Sequence, residues 1–140
     1  MVRRKRLAVA AACVGTLMAG ASASLADALG SGLVGAWATN LSDCKRLFQR
    51  RGGQLAFRQP VDQFAQAAIF GLQTIYLPAS TCQIRQASRA NDVVKVSADC
   101  RDTISYTSQT AEIKVKSSSE IIYSPTGDPT LATNLIKCPM

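Results

Sequence analysis

The sequence predicts an all-β domain, a small antiparallel barrel or sandwich that is held together by two disulfides. Short runs rich in valine, isoleucine, threonine and serine are separated by turn residues at intervals of about eight to twelve positions, which is typical of many short strands. Over residues 111–116, apolar and charged side chains alternate strictly, as expected for a half-buried strand. Four of the five cysteines follow an N-terminal apolar segment, in a chain of 140 residues that can bury one modest core.

The N-terminal segment, residues 1–26, predicts a secretory signal peptide. Four consecutive basic residues are followed by an apolar run over residues 7–19 and by small residues that permit cleavage after Ala23 or after Ala26. The apolar run is shorter than the ~18–20 residues that a helix needs to span a bilayer, so no transmembrane segment is expected after processing. The predicted organisation is therefore a cleaved leader followed by a single disulfide-bonded β domain, residues 27–140, in the periplasm or secreted.

Removal of the leader changes the charge and the cysteine count of the chain. The whole sequence carries 16 basic and 9 acidic residues, a net charge of +7, and four of the basic residues lie in the leader with none of the acidic ones. The mature chain is thus only mildly basic. Cys13 also leaves with the leader, and the even number of cysteines that remains predicts two disulfides. Lipidation of Cys13 is the alternative, because Ala11 and Ala12 precede it, although the apolar stretch before it is short.

The expected strands follow one another along the domain. The first, over residues 33–39, carries the only tryptophan, Trp37. Gly52 and Gly53 supply the positive φ angles that a two-residue hairpin turn requires, so a hairpin is predicted on either side of them. The later strands each end at turn residues. After the first, the predicted strands are 46–51, 54–58, 73–77, 81–86, 93–100, 111–116, 120–124 and a last short one that ends at Cys138.

Residues 60–72 fit two different patterns. Their apolar side chains recur at helical spacing behind Pro60, a residue type favoured in the first turn of a helix, which predicts a short helix near residues 60–70. Against this, Phe70 and Gly71 interrupt the spacing, and the segments on both sides resemble hairpins. A strand over residues 64–70 is therefore the preferred prediction.

The positions of the cysteines agree with the strand assignment. In a hairpin that turns near residues 90–92, Cys82 lies directly opposite Cys100 on the same face, at roughly 4.5–5.5 Å, a separation that a disulfide can close. The remaining pair is Cys44 with Cys138. That bond would join the region just after the first strand to the end of the last strand, as barrel closure requires.

The residue inventory excludes several kinds of activity. The chain contains no histidine, which excludes His-based triads and ordinary zinc sites, and no glycine-rich phosphate loop is found, so no cofactor is expected. Asp99 and Asp102, with Asp92 nearby, are the candidate carboxylate pair, although their positions at strand ends are typical of turn residues. A non-catalytic protein is the preferred prediction, and a carboxylate-dependent periplasmic hydrolase is the alternative.

A run of basic residues is the main candidate for a binding surface. It lies between Asp43 and Asp62, contains no acidic residue, and is interleaved with Phe48 and Phe57. Such a surface suits anionic material of the envelope, such as lipid headgroups or cell-wall polymer, while nucleic acid is not expected in this compartment. The run, called here the basic cluster, consists of Lys45, Arg46, Arg50, Arg51 and Arg58.

Gly35-Ala36-Trp37 is similar to the Gly-x-Trp signature of lipocalin-like barrels. The resemblance implies a lipocalin- or avidin-like antiparallel barrel. It also implies that Trp37 closes one end of the barrel beneath a basic side chain of the last strand, and Lys137 is the residue that could take this part.

Nearly the whole mature chain also resembles a group of small four-cysteine exported proteins of rhizobia and related alphaproteobacteria that have no established activity. This resemblance implies a periplasmic, disulfide-bonded β domain and supplies no catalytic residues. The prediction is thus an exported binding or interaction module whose partner is an envelope component, a small ligand or a secreted enzyme, engaged by the basic cluster or by a barrel mouth. The motifs that carry the resemblance are residues 35–39 followed by Cys44, residues 51–53, 81–84 and 97–100, and Lys137-Cys138-Pro139.

Overall fold

The computed structural model describes residues 24–140, so the predicted leader lies outside the described residues except for its last three positions. The described chain is mostly β, and eight of its strands form one closed antiparallel barrel, which confirms the predicted fold class. The elements are α1 Leu25–Leu33, β1 Gly35–Ala38, α2 Leu41–Leu47, β2 Phe48–Arg51, β3 Gln54–Phe57, β4 Ala67–Phe70, β5 Thr74–Tyr76, β6 Thr81–Ala90, β7 Val93–Arg101, β8 Tyr106–Val115, β9 Glu120–Ser124, a 3-10 turn Pro129–Leu131, and β10 Thr133–Lys137.

The barrel strands follow the order β1-β10-β9-β8-β7-β6-β5-β4, and β4 pairs with β1 to close the ring. Because every neighbouring pair is antiparallel, successive connections lie at alternate ends of the barrel. The β5–β6, β7–β8 and β9–β10 connections share one end with the segment that leads into β4, and this is called the loop end. Helix α1 precedes β1 at the opposite end, which is called the helix end.

The interior of the barrel is filled by side chains. Along β7, Val94 and Val96 are fully buried, while Lys95 between them and Ser97 after them are exposed, as the two-residue period of a strand requires. Barrels of eight strands have an interior just wide enough for such packing. The largest fully buried side chains of the interior are Trp37, Leu29, Phe70, Ile75, Ile113, Ile121 and Leu135.

A second core lies on the outer wall of the barrel, where α2 and the β2–β3 hairpin cover β1 and β4. Asn40 begins α2 by accepting a hydrogen bond from the Asp43 amide at 3.0 Å, as a helix N-cap does. The helix delivers Phe48 into this core, where its ring centroid lies 5.2 Å from that of Phe57. The predicted glycine turn is confirmed, since Gly52 and Gly53 both have positive φ angles between β2 and β3.

Residues 67–70 of the segment that fitted both a helix and a strand form β4, which is shorter than the predicted strand over residues 64–70. No helix forms near residues 60–70, so that alternative is wrong. All four residues of β4 are buried. Ala68 and Phe70 pack in the barrel interior, whereas Ala67 and Ile69 face the second core. A strand that is covered on both faces loses its alternation of apolar and polar residues, which is why its spacing could imitate that of a helix.

Both predicted disulfides are present, Cys44–Cys138 and Cys82–Cys100. The second depends on a β-bulge. The β6–β7 turn is tight, with Ala90 opposite Val93. If this register continued along the hairpin without a bulge, Cys82 would lie opposite Arg101, and Cys100 would lie on the other face of the sheet. Arg85 is an extra residue in β6 that shifts the register by one, and Cys82 therefore pairs with Cys100.

Helix α1 includes residues that the sequence assigned to the leader. Ser24 caps the helix, and a reciprocal pair of hydrogen bonds joins it to Asp27, each with a length of 3.2 Å. Leu25 packs against the interior core, and Leu29 and Leu33 are buried in it. Ser24 and Leu25 therefore belong to the folded unit.

This geometry distinguishes the two cleavage sites of the predicted leader. We expect protein recovered after export to begin at Ser24, because cleavage after Ala26 would remove both the cap and the Leu25 side chain. Intact-mass measurement checks the start, and a mature form beginning at Asp27 would contradict it. A chain that is made to start at Asp27 should also unfold with a free energy lower by about 1–3 kcal/mol than one that starts at Ser24, from the lost cap and apolar burial.

Candidate functional site

Trp37 and Lys137, the two residues that the sequence proposed for barrel closure, lie together at the helix end. Trp37 is 1% exposed, and its indole N–H donates a 2.8 Å hydrogen bond to the carbonyl oxygen of Leu33 in α1. The Lys137 ammonium lies 5.5 Å from the Trp37 ring centroid and donates to the Gly32 carbonyl oxygen at 2.7 Å. Gly35 allows this approach, since a Cβ there would lie 3.1 Å from the Lys137 Cε. The last strand is thereby attached to the N-terminal helix.

A pocket beside Trp37 at the helix end has a volume of only about 100 Å³. Typical ligand pockets have volumes of ~300 Å³ or more. The barrel mouth at this end therefore offers no room for a ligand of ordinary size.

The loop end carries a larger recess, with a volume of about 330 Å³. Its walls come from three separate parts of the chain: the segment before β4, the β5–β6 connection and the β9–β10 connection. Most of its lining is apolar, and none of the described residues that line it is charged. The lining, called here the loop-end recess, consists of Gln63, Ala65, Gln66, Ala67, Leu77, Pro78, Ala79, Ser80, Tyr123, Pro125, Leu131, Thr133 and Leu135.

Tyr123 is the most deeply buried of the polar side chains that line the recess. It is 7% exposed, and its ring packs edge-on against Phe70 with a centroid distance of 5.7 Å. Burial raises the pKa of Tyr123 to about 12, because the phenolate would lose its hydration. Within residues 24–140, every fully enclosed side-chain oxygen or nitrogen has a hydrogen-bond partner, and the Tyr123 hydroxyl has none there. The hydroxyl is therefore not fully enclosed, and it is accessible from the recess that Tyr123 lines.

The basic cluster is dispersed over three elements and is partly neutralised. Arg46 on α2 pairs with Asp43 at 2.9 Å and with Asp62 at 3.3 Å. The hydrogen bond from Arg46 lowers the pKa of Asp43. Arg58 follows β3 and donates to the carbonyl oxygen of Lys45 at 2.8 Å. The two acidic residues that bound the cluster in the sequence thus bind one of its members in space.

The other two arginines of the cluster lie on β2 and differ in their contacts. Arg50 donates to the main-chain oxygens of Gly53 and Met140 at 3.1 and 3.0 Å. Arg51, at the end of the strand, is exposed. The structure therefore does not gather the five residues into one unneutralised patch.

The candidate carboxylates each have local partners. Asp99 accepts hydrogen bonds from the Ser108 hydroxyl and from Arg85, both at 2.6 Å, and these bonds hold the pKa of Asp99 at about 2. Asp102 accepts from the main-chain amides of Ile104 and Ser105, which also lowers its pKa. Within residues 24–140, no group of three or more His, Cys, Asp or Glu side chains is arranged to hold a metal ion. Both carboxylates stabilise strands and turns by these contacts.

Comparisons of the chain with protein-family models, with curated proteins and with solved structures find no match. In the described part of the chain, no helix has both the length and the apolar character needed to cross a membrane. Functional inference accordingly depends on the geometry of the protein itself.

Proposed function

We propose that this chain is an exported, non-catalytic binding module that holds a small ligand in the loop-end recess. The observation that carries the proposal is an apolar recess of about 330 Å³ at the end of the barrel that α1 leaves open. Mouths of β-barrels are preferred places for small-molecule sites, and this volume falls at the lower end of the usual range.

Export to the periplasm or beyond is supported by the two disulfides, because such bonds persist in oxidising compartments. Absence of catalysis is supported by the state of the carboxylates. A hydrolase that works with a pair of carboxylates needs one of them to have a pKa raised towards neutrality, whereas the pKa values of Asp99 and Asp102 are both lowered. The hydrolase alternative is therefore not favoured.

The test uses a neutral fluorescent probe, N-phenyl-1-naphthylamine, whose emission rises in apolar surroundings. At about 0.3 kcal/mol per non-hydrogen atom, a probe of about 17 such atoms should bind with a Kd on the order of 0.2 mM. Leu131→Asp should weaken this binding at least about tenfold, because it places an uncompensated charge in the wall of the recess.

Ile104→Asp is the matched control. Ile104 is 95% exposed on a neighbouring turn of the loop end and does not line the recess, whereas Leu131 is 54% exposed and does. Both changes replace an exposed apolar side chain by the same acid. A probe that does not bind, or that is weakened equally by both variants, would contradict the proposal.

The basic cluster supplies the alternative partner, anionic envelope material. Its test is co-sedimentation with anionic vesicles, in which Arg51→Glu should reduce any attachment that depends on charge and salt. Attachment of that kind, together with an empty loop-end recess, would favour the alternative over the recess.

A further inference from the structure

The wall of the loop-end recess contains a hydrogen-bond donor that the described part of the protein does not use. Tyr123 is only 7% exposed, and its hydroxyl has no hydrogen-bond partner among residues 24–140. Burial alone accounts for its raised pKa. A ligand that fills the recess would cover this hydroxyl, and a phenol that is removed from water needs a partner, because an unpaired buried polar group costs free energy. The hydroxyl opens onto the recess, so that partner can come from a bound molecule.

The surroundings of this hydroxyl restrict the charge of such a molecule. No basic or acidic side chain is among the residues that line the recess. An ionised group placed there would lose hydration and gain no countercharge, which makes its burial unfavourable. Burial raises the pKa of Tyr123 for the same reason, because its phenolate would lose hydration there.

We infer that the ligand is an uncharged molecule with an apolar body and one hydrogen-bond acceptor, such as a carbonyl oxygen, that accepts from the Tyr123 hydroxyl. This inference rests on the proposed function and adds the chemical class of the ligand. The apolar body contacts Leu77, Leu131 and Leu135, whereas Tyr123 selects for the acceptor and fixes the orientation of the molecule.

Three naphthalene derivatives of nearly equal shape test each part of the inference. 2-Acetylnaphthalene carries a neutral carbonyl, 2-isopropenylnaphthalene replaces its oxygen by a methylene group, and 2-naphthoate carries an anion at the same position. Their affinities are measured by isothermal titration calorimetry and by displacement of N-phenyl-1-naphthylamine. We expect the ketone to bind about fivefold more tightly than the alkene, as one net hydrogen bond allows, and the anion to bind at least tenfold more weakly than the ketone.

Tyr123→Phe tests the contribution of the hydrogen bond without changing the shape of the recess. The variant keeps the ring that packs against Phe70 and removes only the hydroxyl. It should weaken ketone binding about fivefold and leave the alkene unchanged, so that the preference for the ketone disappears. Tyr106→Phe is the control, since Tyr106 is 62% exposed and lies outside the recess.

The outcomes distinguish this inference from the proposed function. Equal binding of ketone and alkene that Tyr123→Phe does not change would overturn the role of Tyr123 and leave the recess as a binding site. Preferential binding of the anion would overturn the neutral class of ligand. Failure of all three compounds and of the probe to bind would remove the proposed function itself.

Discussion

Replacing Cys44 and Cys138 together by alanine is expected to lower the free energy of unfolding by about 4–5 kcal/mol. The bond closes a loop with a sequence separation of 94, and the entropy that such a bridge removes from the unfolded chain grows with loop length. A loss of this size is a large part of the stability of a small domain, which is typically ~5–15 kcal/mol. Equilibrium urea denaturation followed by circular dichroism measures the difference.

The second disulfide provides the matched control for this loss. Cys82 and Cys100 are buried to a similar degree as Cys44 and Cys138, but their sequence separation is 18. The same chain-entropy relation gives about 3 kcal/mol for replacement of Cys82 and Cys100 by alanine. Equal losses for the two double variants, or a larger loss for the shorter loop, would show that loop length does not determine the contribution.

Trp37→Ala is expected to lower the free energy of unfolding by about 3–5 kcal/mol. The change empties a fully buried part of the barrel interior, and large-to-small substitutions of this kind lose both transfer free energy and packing around the cavity. It also removes the donor that binds the Leu33 carbonyl oxygen and the ring beneath the Lys137 ammonium. Because Trp37 is the only tryptophan, urea denaturation must be followed by circular dichroism and not by its fluorescence.

Phe64→Ala is the control for a large aromatic residue outside the core. Phe64 is 94% exposed, and surface substitutions of this kind usually change stability by ~0.5 kcal/mol or less. Trp37→Phe should fall between the two, since it retains much of the packing and loses the hydrogen bond to Leu33. A Trp37→Ala variant as stable as Phe64→Ala would mean that the helix end is not closed by this side chain.

The strands could be predicted where one face is buried and the other is solvated. Glu120–Ser124 has the predicted bounds, and the alternation over residues 111–116 lies within β8 apart from its last residue. The Cys82–Cys100 pair was also predicted correctly. However, it arises from a tight turn combined with the bulge at Arg85, and nothing in the sequence marks the bulge.

Both helices were missed, although each carries a local signal. Ser24 and Asp27, like Asn40 and Asp43, stand three residues apart as an N-cap and the residue whose amide it accepts. The first pair was hidden by its position at the end of the predicted leader. The second lies between two predicted strands, and it includes Arg46 and Leu47, which the prediction had assigned wrongly to the strand over residues 46–51.

The sites were harder to predict than the fold, because nearness in sequence differs from nearness in space. The five members of the basic cluster are neighbours in the chain, yet Arg46 is paired with acidic residues and Arg58 binds a carbonyl oxygen. The loop-end recess shows the reverse. Its walls lie in segments near residues 63–67, 77–80 and 123–135, and only the closed order of strands brings them together.

The pairing of β1 with β10 also determines when the barrel can close during synthesis of the chain. β1 pairs with β10, Cys44 bonds to Cys138, and the Gly32 carbonyl oxygen accepts from Lys137. The ribosome makes Gly32, β1 and Cys44 well before it makes β10 and Cys138. The nascent chain can form the local β6–β7 and β7–β8 hairpins early, but its ring must stay open until β10 has been synthesised.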